Sequence, residues 1–217
     1  MGASVPKQYL EIDGLSVLEH TLRALSAVSA IEQIYLVVQQ DDSVARKIVE
    51  RVLIERVRLL TCAGATRAQT VTQALAAIRT EVRRDARILV HDAARPCVSP
   101  ASILRLIDAT RTSPEGGLLA LPISDTVKRS NQEGEYVETV PRDGLWRAQT
   151  PQLFPYDTLV HAIHASPDVT DESQAIEALG LRPKLVLGDA RNIKITFPED
   201  LALAAFFLRE RTPTIHE

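Results

Sequence analysis

The sequence predicts an α/β fold with a doubly wound, mostly parallel sheet and a protruding β-hairpin. Short apolar segments alternate with helical patterns along most of the chain, which is typical of parallel strands covered by helices. A long polar segment, residues 122–145, interrupts this alternation and predicts the hairpin. Because 217 residues that are 45% hydrophobic can bury one substantial core, we expect a single domain over residues 1–217, with residues 122–145 as a subregion.

The first half of the chain establishes the alternation. Apolar residues recur at helical spacing in three segments, and short apolar runs typical of buried strands stand between them. The predicted helices are residues 16–28, 41–53 and 68–80, and the predicted strands are residues 34–38 and 57–61.

The second half continues the pattern on both sides of the polar segment. Residues 146–152, which contain the only tryptophan, lead into a predicted helix. The predicted helices are residues 100–110, 155–165 and 201–209, with another beginning at residues 170–173; the predicted strands are residues 88–90, 117–121, 185–188 and 192–196.

A carboxylate stands where one predicted strand stops. Residues 88–90 form an apolar run of the kind found in buried parallel strands, and His91 and Asp92 follow directly. Ligands of open α/β sheets bind beyond the carboxyl ends of the strands, so Asp92 is positioned to hold a metal ion or a phosphate-bearing substrate. The alternative is that Asp92 only caps the next helix, while Arg95 pairs with it at the surface.

The turn before the helix at residues 68–80 is a second candidate ligand site. Gly64 lets the backbone approach a ligand closely, and Thr66 can cap the helix. Arg67 and Thr70 would then lie in the first helical turn, where anions are favoured. Without other support, an ordinary strand-to-helix turn is the preferred interpretation of this segment.

The polar segment reads as a long hairpin. Two strand-like runs, residues 126–129 and 136–140, flank a turn rich in Asn, Gln and Gly. Because an isolated polar hairpin is marginally stable in water, we expect it to pack on a second copy of the chain in a homodimer. The alternative is an excursion on the surface of a single chain.

The composition argues against several classes of function. A net charge of -3 and a pI of about 6.0 provide no basic surface, so nucleic acid is not an expected partner. No apolar run reaches the roughly 18 residues of a membrane span, and the N-terminal residues do not resemble a signal peptide. Cys62 and Cys97 form no C-x-x-C motif, which fits a reducing compartment, and we expect a cytoplasmic protein.

The polar residues at the ends of the predicted elements favour one class of chemistry. Cations dominate this set, and it contains a single carboxylate: Lys7, Gly64, Arg67, Asp92, Arg95, Thr126, Arg142, Thr150 and Lys194. Such residues can grip phosphates around a divalent metal ion, for which hard oxygen ligands favour Mg²⁺. Hydrolysis by acid and base would instead require paired carboxylates, so phosphoryl or nucleotidyl transfer is the favoured reaction.

Seven segments together resemble one enzyme family along nearly the whole chain: the 2-C-methyl-D-erythritol 4-phosphate cytidylyltransferases of the non-mevalonate isoprenoid pathway. Any one segment is a weak signal, but seven in the same order are specific. The resemblance implies a Rossmann-like fold and a single nucleotidyltransferase domain over residues 1–217. The segments are Pro-Lys-Gln-Tyr (6–9), Val-His-Asp-Ala-Ala-Arg-Pro (90–96), Asp-Thr-Val-Lys (125–128), Arg-Asp-Gly-Leu-Trp (142–146), Gln-Thr-Pro-Gln (149–152), Thr-Asp-Glu (170–172) and Asn-Ile-Lys-Ile-Thr (192–196).

The activity implied by the resemblance is the transfer of CMP from CTP to 2-C-methyl-D-erythritol 4-phosphate. The products are 4-diphosphocytidyl-2-C-methyl-D-erythritol and pyrophosphate. Lys7, Lys194 and Asp92 would be the catalytic residues, with the two lysines stabilising the charge of the pentavalent transition state. Asp92 would also lie near the metal ion, Mg²⁺ or another divalent cation.

Two binding subsites follow from the same resemblance. The implied CTP-binding residues are Lys7, Gly64, Ala65, Thr70, Asp92 and Ala93. Those for the sugar-alcohol phosphate are Asp92, Arg95, Thr126, Arg142, Thr150, Thr170 and Lys194. Arg142 would reach the phosphate from the neighbouring subunit, which would make the hairpin a dimerisation arm that completes the site.

The chain departs from the family pattern in two places. Family members carry a strand and a glycine-rich loop before Pro-Lys-Gln, and Met1 aligns with the end of that loop, so we expect Met1 to be an internal methionine. Strands beside the absent one would keep unpaired edges, and the CTP site would lack the N–H groups of the loop. Ala65 replaces a residue that is polar or acidic in many relatives, so a ribose or base contact would be lost.

Two other functions remain as alternatives. A ribitol 5-phosphate cytidylyltransferase would look similar in the nucleotide half, although residues 142–146 and 170–172 favour methylerythritol phosphate. An inactive, truncated dimeric homologue would bind CTP weakly and release no pyrophosphate. The joint presence of Lys7, Asp92, Arg142 and Lys194 argues for the enzyme.

Overall fold

The computed structural model describes residues 5–167 and 169–211; Met1, expected to be an internal methionine, lies outside them. The helices are a short 3₁₀ turn (Lys7–Tyr9), α1 (Val17–Ser26), α2 (Ser43–Val52), α3 (Arg67–Ala77), α4 (Pro100–Thr110), α5 (Tyr156–Ala165), α6 (Glu172–Ala178) and α7 (Pro198–Arg211). The strands are β1 (Glu11–Ile12), β2 (Leu15–Ser16), β3 (Ile34–Val37), β4 (Val57–Leu60), β5 (Arg87–Val90), β6 (Gly117–Pro122), β7 (Val127–Ser130), β8 (Tyr136–Val140), β9 (Trp146–Pro155) and β10 (Lys184–Leu187).

The α/β class predicted from the sequence is confirmed, and its main sheet is mixed. This sheet has the order β10-β6-β9-β5, in which β10 runs parallel to β6 and β9 runs antiparallel to both of its neighbours. A separate parallel pair joins β3 to β4. The predicted parallel strands are therefore present, but an antiparallel strand lies inside the sheet.

Strand β5 differs from the buried parallel strand predicted for residues 88–90. It pairs antiparallel with β9, and all four of its residues are half-buried. Within the described ranges, β9 is the only ladder partner of β5, and β4 is the only ladder partner of β3. One edge of β5 and one edge of β3 therefore have no strand beside them among the residues described.

Strand β9 was missed because its sequence lacks a strand pattern. Its buried part includes the polar residues Gln149, Thr150 and Gln152, and Pro151 lies among them. Proline inside a run normally argues against a central strand because it cannot donate to the ladder. Here the register with β6 shifts between Leu118 and Ala120, so Pro151 lies in the irregular part of the ladder.

The strand predicted at residues 192–196 is wrong. The alternation of polar and apolar residues is real, since Ile195 is buried beside α7 with the partly buried Ile193. However, this segment is a loop, which the Ile195 N–H anchors to the carbonyl of Ala94 at 2.9 Å. The polar and apolar alternation therefore reflects the packing of Ile193 and Ile195 beside α7 rather than a strand ladder.

The predicted hairpin is confirmed as β7 and β8, which pair antiparallel. Arg129 and Glu138 form a cross-strand ion pair of 2.7 Å, and Tyr136 and Val137 are exposed. This segment, residues 122–145, is called the arm below. Within one chain, most residues of the arm are exposed to solvent.

Local capping explains why α1 begins where it does. The Ser16 hydroxyl accepts a hydrogen bond from the Glu19 N–H at 3.2 Å, and the Glu19 carboxylate accepts one from the Ser16 N–H at 2.7 Å. The inner face of α1, with Leu18, Leu22 and Leu25, then packs in a core shared with α2, β3 and β4. No described helix has both the length and the apolar character needed to cross a membrane.

The turn after β5 contains a partly buried histidine, His91, whose ring atom Nδ1 is shielded from solvent. The Nε2 atom of His91 lies 3.3 Å from the carbonyl oxygen of Arg95, which ties the two ends of the turn together. Burial lowers the pKa of His91 from 6.5 to about 4; the contact with the Arg95 carbonyl and the Asp92 carboxylate oppose this shift, while the Arg95 and Arg67 guanidinium groups add to it. The imidazole is therefore neutral in the folded protein at neutral pH.

This partly buried histidine predicts a specific loss of stability in acid. As the pH falls from 6.5 towards about 4, the imidazole gains a proton in the unfolded chain but not in the folded one. The free energy of unfolding should therefore fall by about 3 kcal/mol over this window because of His91. Denaturant unfolding followed by circular dichroism should show a weaker pH dependence in His91→Gln.

The exposed His161 on α5 supplies the matched control. His161→Gln should keep the pH dependence of the unmodified chain. Equal slopes for His91→Gln and the unmodified chain would contradict the assignment of a neutral imidazole.

Candidate active site

The turn that carries Asp92 is fixed from three sides. The Arg95 N–H donates to the Asp92 carbonyl at 3.1 Å, which closes the turn. The Thr21 hydroxyl of α1 donates to the carbonyl of Ala93 at 2.9 Å, and the Asp92 N–H donates to the Thr150 hydroxyl of β9 at 3.1 Å. Together with the bond from the Ile195 N–H to the Ala94 carbonyl, these contacts leave the backbone at Asp92 little freedom.

The Asp92 carboxylate is surrounded by three cations. Lys194 Nζ lies 3.0 Å from Oδ2, Arg95 Nε lies 3.5 Å from Oδ2, and Arg67 Nε lies 3.3 Å from Oδ1. Burial alone would raise the pKa of Asp92, but Arg67, Lys194 and Arg95 outweigh it and lower the pKa to about 2. Asp92 is therefore ionised at any pH near neutrality.

Arg67 also binds a second carboxylate. Its terminal nitrogens donate to the two oxygens of Glu172 at 2.6 and 2.8 Å, in the paired geometry that a guanidinium favours. Burial alone would lower the pKa of Arg67, but Glu172 and Asp92 reverse this and raise it. Arg67 was among the cations noted in the sequence without being assigned to the site, and Glu172 was noted in a helix start and in the Thr-Asp-Glu segment of the resemblance without a role of its own.

An open cavity lies in front of these groups. Five of the predicted site residues line it: Asp92, Arg95, Thr150, Thr170 and Lys194. The remaining lining residues are Arg67, Ala148, Gln149, Gln152 and Asp171. Nearly all of these side chains are polar or charged, so the cavity suits an anionic, hydroxylated ligand.

Lys7 lies beside the cluster without lining the cavity. Burial lowers the pKa of Lys7, the positive charges of Lys194 and Arg95 lower it further, and Asp92 opposes them. The 3₁₀ turn that carries Lys7 is held by a hydrogen bond from the Tyr9 hydroxyl to Asp42, the N-cap residue of α2. Lys7 is therefore within electrostatic range of Lys194, Asp92 and Arg95.

The predicted nucleotide turn forms a compact unit next to Arg67. The Gly64 N–H donates to the Thr70 hydroxyl at 3.1 Å, and the Ala65 N–H donates to the Gln69 side chain at 3.0 Å. A Cβ atom at Gly64 would lie 2.5 Å from the Cβ of Gln69, so a glycine is required for this close approach. None of Gly64, Ala65 and Thr70 lines the cavity, and neither does Ala93, whose carbonyl oxygen is bound to Thr21.

Buried amides support the floor of the cavity, and sequence reasoning missed them. The Gln152 amide donates to Asp171 at 2.9 Å and accepts from the Ser173 N–H at 2.8 Å, which joins β9 to the start of α6. The Asn192 amide donates to the carbonyl oxygen of Thr150 at 2.8 Å. Glutamine and asparagine in irregular segments carry no pattern that would have identified these contacts.

The arm residues are separated from the cavity within one chain. Thr126 and Arg142 are exposed, and neither lines the cavity. The guanidinium of Arg142 instead donates to the carbonyl oxygen of Ser124, at the base of its own arm.

Among the described residues, Asp92 is not grouped with other side chains that commonly ligate metal ions. In residues 5–167 and 169–211, no three His, Cys, Asp or Glu side chains are grouped so as to hold a metal ion. Both oxygens of Asp92 face cations, which would compete with Mg²⁺ for the same lone pairs. A divalent cation here would depend on ligand phosphates for most of its coordination.

Comparison with known proteins gives a consistent result for the whole chain. The family model described as "IspD: 2-C-methyl-D-erythritol 4-phosphate cytidylyltransferase" matches residues 1–210. The 2-C-methyl-D-erythritol 4-phosphate cytidylyltransferase of Dechloromonas aromatica (strain RCB) is 47% identical over 210 residues, which cover 97% of this chain and 92% of that protein. The protein of the same name from Azoarcus sp. (strain BH72) is 45% identical over 98% of this chain and 90% of its own length.

Solved structures agree with the sequence comparisons. The crystal structure of a 4-diphosphocytidyl-2C-methyl-D-erythritol synthase superposes with a TM-score of 0.88 at 41% identity, covering 93% of this chain and 94% of that one. The 2-C-methyl-D-erythritol 4-phosphate cytidylyltransferase of Francisella tularensis gives a TM-score of 0.81 at 33% identity, covering 94% and 93% of the two chains. These neighbours have a Rossmann-like fold, as expected from the sequence. The chain belongs to the 2-C-methyl-D-erythritol 4-phosphate cytidylyltransferase family.

Proposed function

We propose that this protein transfers CMP from CTP to 2-C-methyl-D-erythritol 4-phosphate, forming 4-diphosphocytidyl-2-C-methyl-D-erythritol and pyrophosphate. Family membership supports this reaction. The observation that carries the proposal is the cluster of Arg67, Arg95 and Lys194 around Asp92 at the edge of a polar cavity. Glu172 neutralises Arg67, so Arg95 and Lys194, which share the single carboxylate of Asp92, are the cations available to phosphates.

The reaction requires stabilisation of developing charge rather than an acid and a base. An oxygen of the acceptor phosphate attacks the α-phosphorus of CTP, and the bond from that phosphorus to the pyrophosphate oxygen breaks. Lys194 is well suited to stabilise the extra negative charge because its side chain is 41% exposed and Asp92 holds its ammonium group. Lys7 would act from the neighbouring 3₁₀ turn.

The two subsites are proposed on either side of Asp92. Gly64, Ala65, Thr70 and Ala93 would contact the nucleotide, which is consistent with the tight turn between Gly64 and Thr70. Arg95, Thr150 and Thr170 would contact the acceptor, and all three line the cavity. Thr126 would join this subsite from the base of the arm.

The arm is proposed to serve a homodimer. It buries little within its own chain, and Arg142 is exposed near its base. An arm that packs on a second copy could bring the guanidinium of Arg142 to the acceptor phosphate of that copy. This arrangement would add a cation to a cavity that already favours anions.

Magnesium and a cytoplasmic location complete the proposal. A divalent cation would enter with CTP, because the protein groups alone provide few ligands for it. The low cysteine content of the chain agrees with a reducing compartment.

The primary test is pyrophosphate release from CTP and Mg²⁺ with two acceptors in parallel. Methylerythritol phosphate should support turnover, and ribitol 5-phosphate should support at least about tenfold less, because a polar site rejects an acceptor whose hydroxyl groups do not match its own partners. Addition of EDTA should abolish the signal. Faster turnover with ribitol 5-phosphate would support a ribitol 5-phosphate cytidylyltransferase. Absence of pyrophosphate release with both acceptors would support a non-catalytic binding protein.

Lys194→Ala should lower kcat about 100-fold while changing KM for CTP much less, since its proposed partner is charge that develops in the transition state. Steady-state kinetics with each substrate in turn measure this difference. Lys47→Ala removes an exposed lysine of α2 and should leave both constants unchanged. A normal kcat in Lys194→Ala would remove this residue from the catalytic set.

Arg142→Ala should chiefly raise KM for methylerythritol phosphate, because it removes a proposed phosphate contact. When this variant is mixed with Lys194→Ala and the subunits are allowed to exchange, activity should partly recover, since one site of the mixed dimer keeps both residues. Arg129→Ala, which breaks an ion pair inside the arm, should keep the KM of the unmodified protein. No recovery in the mixture would mean that Arg142 acts within its own chain.

A further inference from the structure

Arg67 connects three separate parts of the site. It is the first residue of α3, and Glu172 is the first residue of α6. Both terminal nitrogens of Arg67 bind Glu172, while its Nε faces Asp92 in the turn after β5. A single side chain thus joins two helix N-termini to the central carboxylate.

We propose that Arg67 and Glu172 are positioning residues, which fix the orientation of the Asp92 carboxylate and thereby the positions of Lys194 and Arg95 for phosphate chemistry. The inference rests on the function proposed above and adds two residues to it.

The two oxygens of Asp92 have different partners, so Arg67 restrains the oxygen that Lys194 and Arg95 do not contact. Oδ2 faces Lys194 at 3.0 Å and Arg95 at 3.5 Å, whereas Oδ1 faces Arg67 at 3.3 Å. The terminal torsion of an aspartate is soft, so the carboxylate turns readily unless both oxygens are held. Without Arg67, Oδ1 could rotate towards Lys194 or Arg95 and draw either cation away from its present position.

Glu172 fixes the orientation of the Arg67 guanidinium, which in turn restrains the Asp92 carboxylate. Its side chain is only 2% exposed, and Arg67 occupies both of its oxygens. The two parallel hydrogen bonds define the plane of the guanidinium and so the direction of Nε. Glu172 is itself anchored, because the neighbouring Ser173 N–H donates to Gln152 of β9 at 2.8 Å.

The geometry requires an arginine rather than a positive charge alone. A lysine ammonium is a point charge on a flexible stem and cannot make a paired contact with Glu172 while facing Asp92 in a fixed direction. Arg67→Lys should therefore keep a cation in the cavity yet lose the constraint on Asp92. A purely structural ion pair between α3 and α6 would lose stability on this substitution but keep its kcat when activity is scaled to folded protein.

The link also spans the two proposed subsites. Arg67 follows directly after the turn that contains Gly64, and Glu172 follows Thr170, which lines the cavity. The nucleotide turn and the acceptor segment are thus held at a fixed separation by one pair of side chains. A change in this pair should affect the reaction step more than the binding of either substrate alone.

The test compares kcat and KM for Glu172→Gln, Arg67→Lys and the double variant with those of the unmodified protein. Each single variant should lose about 10- to 100-fold in kcat with smaller changes in KM for CTP, because misplacement of catalytic groups acts mainly on the reaction step. The double variant should lose little more than the worse single variant, since both substitutions break one link.

Glu19→Gln is the matched control. Glu19 is as buried as Glu172 and also pairs with an arginine, Arg51, but it serves the N-terminus of α1. This variant should lose stability and keep kcat when activity is scaled to folded protein. A normal kcat in Glu172→Gln and Arg67→Lys would overturn the positioning role and leave a structural ion pair.

A second measurement separates this inference from the proposed function. If the unmodified protein releases no pyrophosphate, the proposed function fails, and crystal structures of the unmodified protein and Glu172→Gln decide the positioning role. The Asp92 carboxylate should then be turned, and Lys194 Nζ should have moved from its 3.0 Å contact in the variant. An unchanged arrangement around Asp92 would overturn the inference.

Discussion

The site depends on one anion, the partly buried carboxylate of Asp92. Its charge attracts Arg67 from α3, Arg95 from its own turn and Lys194 from the loop before α7. Buried ion pairs of this kind contribute little net stability, because desolvation of the charges offsets their attraction. The value of the network is therefore geometric. Asp92, together with Glu172 for Arg67, holds three cations that would otherwise repel one another close together at the edge of the cavity.

Strand β9 makes this arrangement possible. It lies between β5 and β6, so its residues reach both the turn after β5 and the start of α6. Thr150 receives the Asp92 N–H, and Gln152 holds the Asp171 carboxylate and the Ser173 N–H. A rigid floor of amide and hydroxyl groups thus supports the charged groups above it, which is how enzymes keep reactive side chains in place without moving parts.

Signals of short range were sufficient to predict most of the fold. Ser16 and Thr66 cap the helices that were predicted to begin there, and the spacing of apolar residues locates the other helices. Prediction from the sequence failed where long-range contacts determine the secondary structure. Strand β9 is stabilised by pairing with two other strands. Residues 192–196 alternate in polarity because Ile193 and Ile195 pack on α7. Similarly, Asp92 was identifiable at a strand end, but the pairing of Arg67 with Glu172 joins residues 105 positions apart, for which no local pattern exists.

The polar lining of the cavity determines what kinds of molecule could block it. Ala148 is the only apolar side chain among the lining residues, whereas the pockets that hold most drug-like compounds have largely hydrophobic walls. A competitive inhibitor would gain little from hydrophobic contact here and would need acidic groups to engage the cations, which hinders passage through cell membranes. Medicinal chemistry on this protein would therefore do better to begin from phosphate isosteres with masked charge than from screening collections of lipophilic compounds.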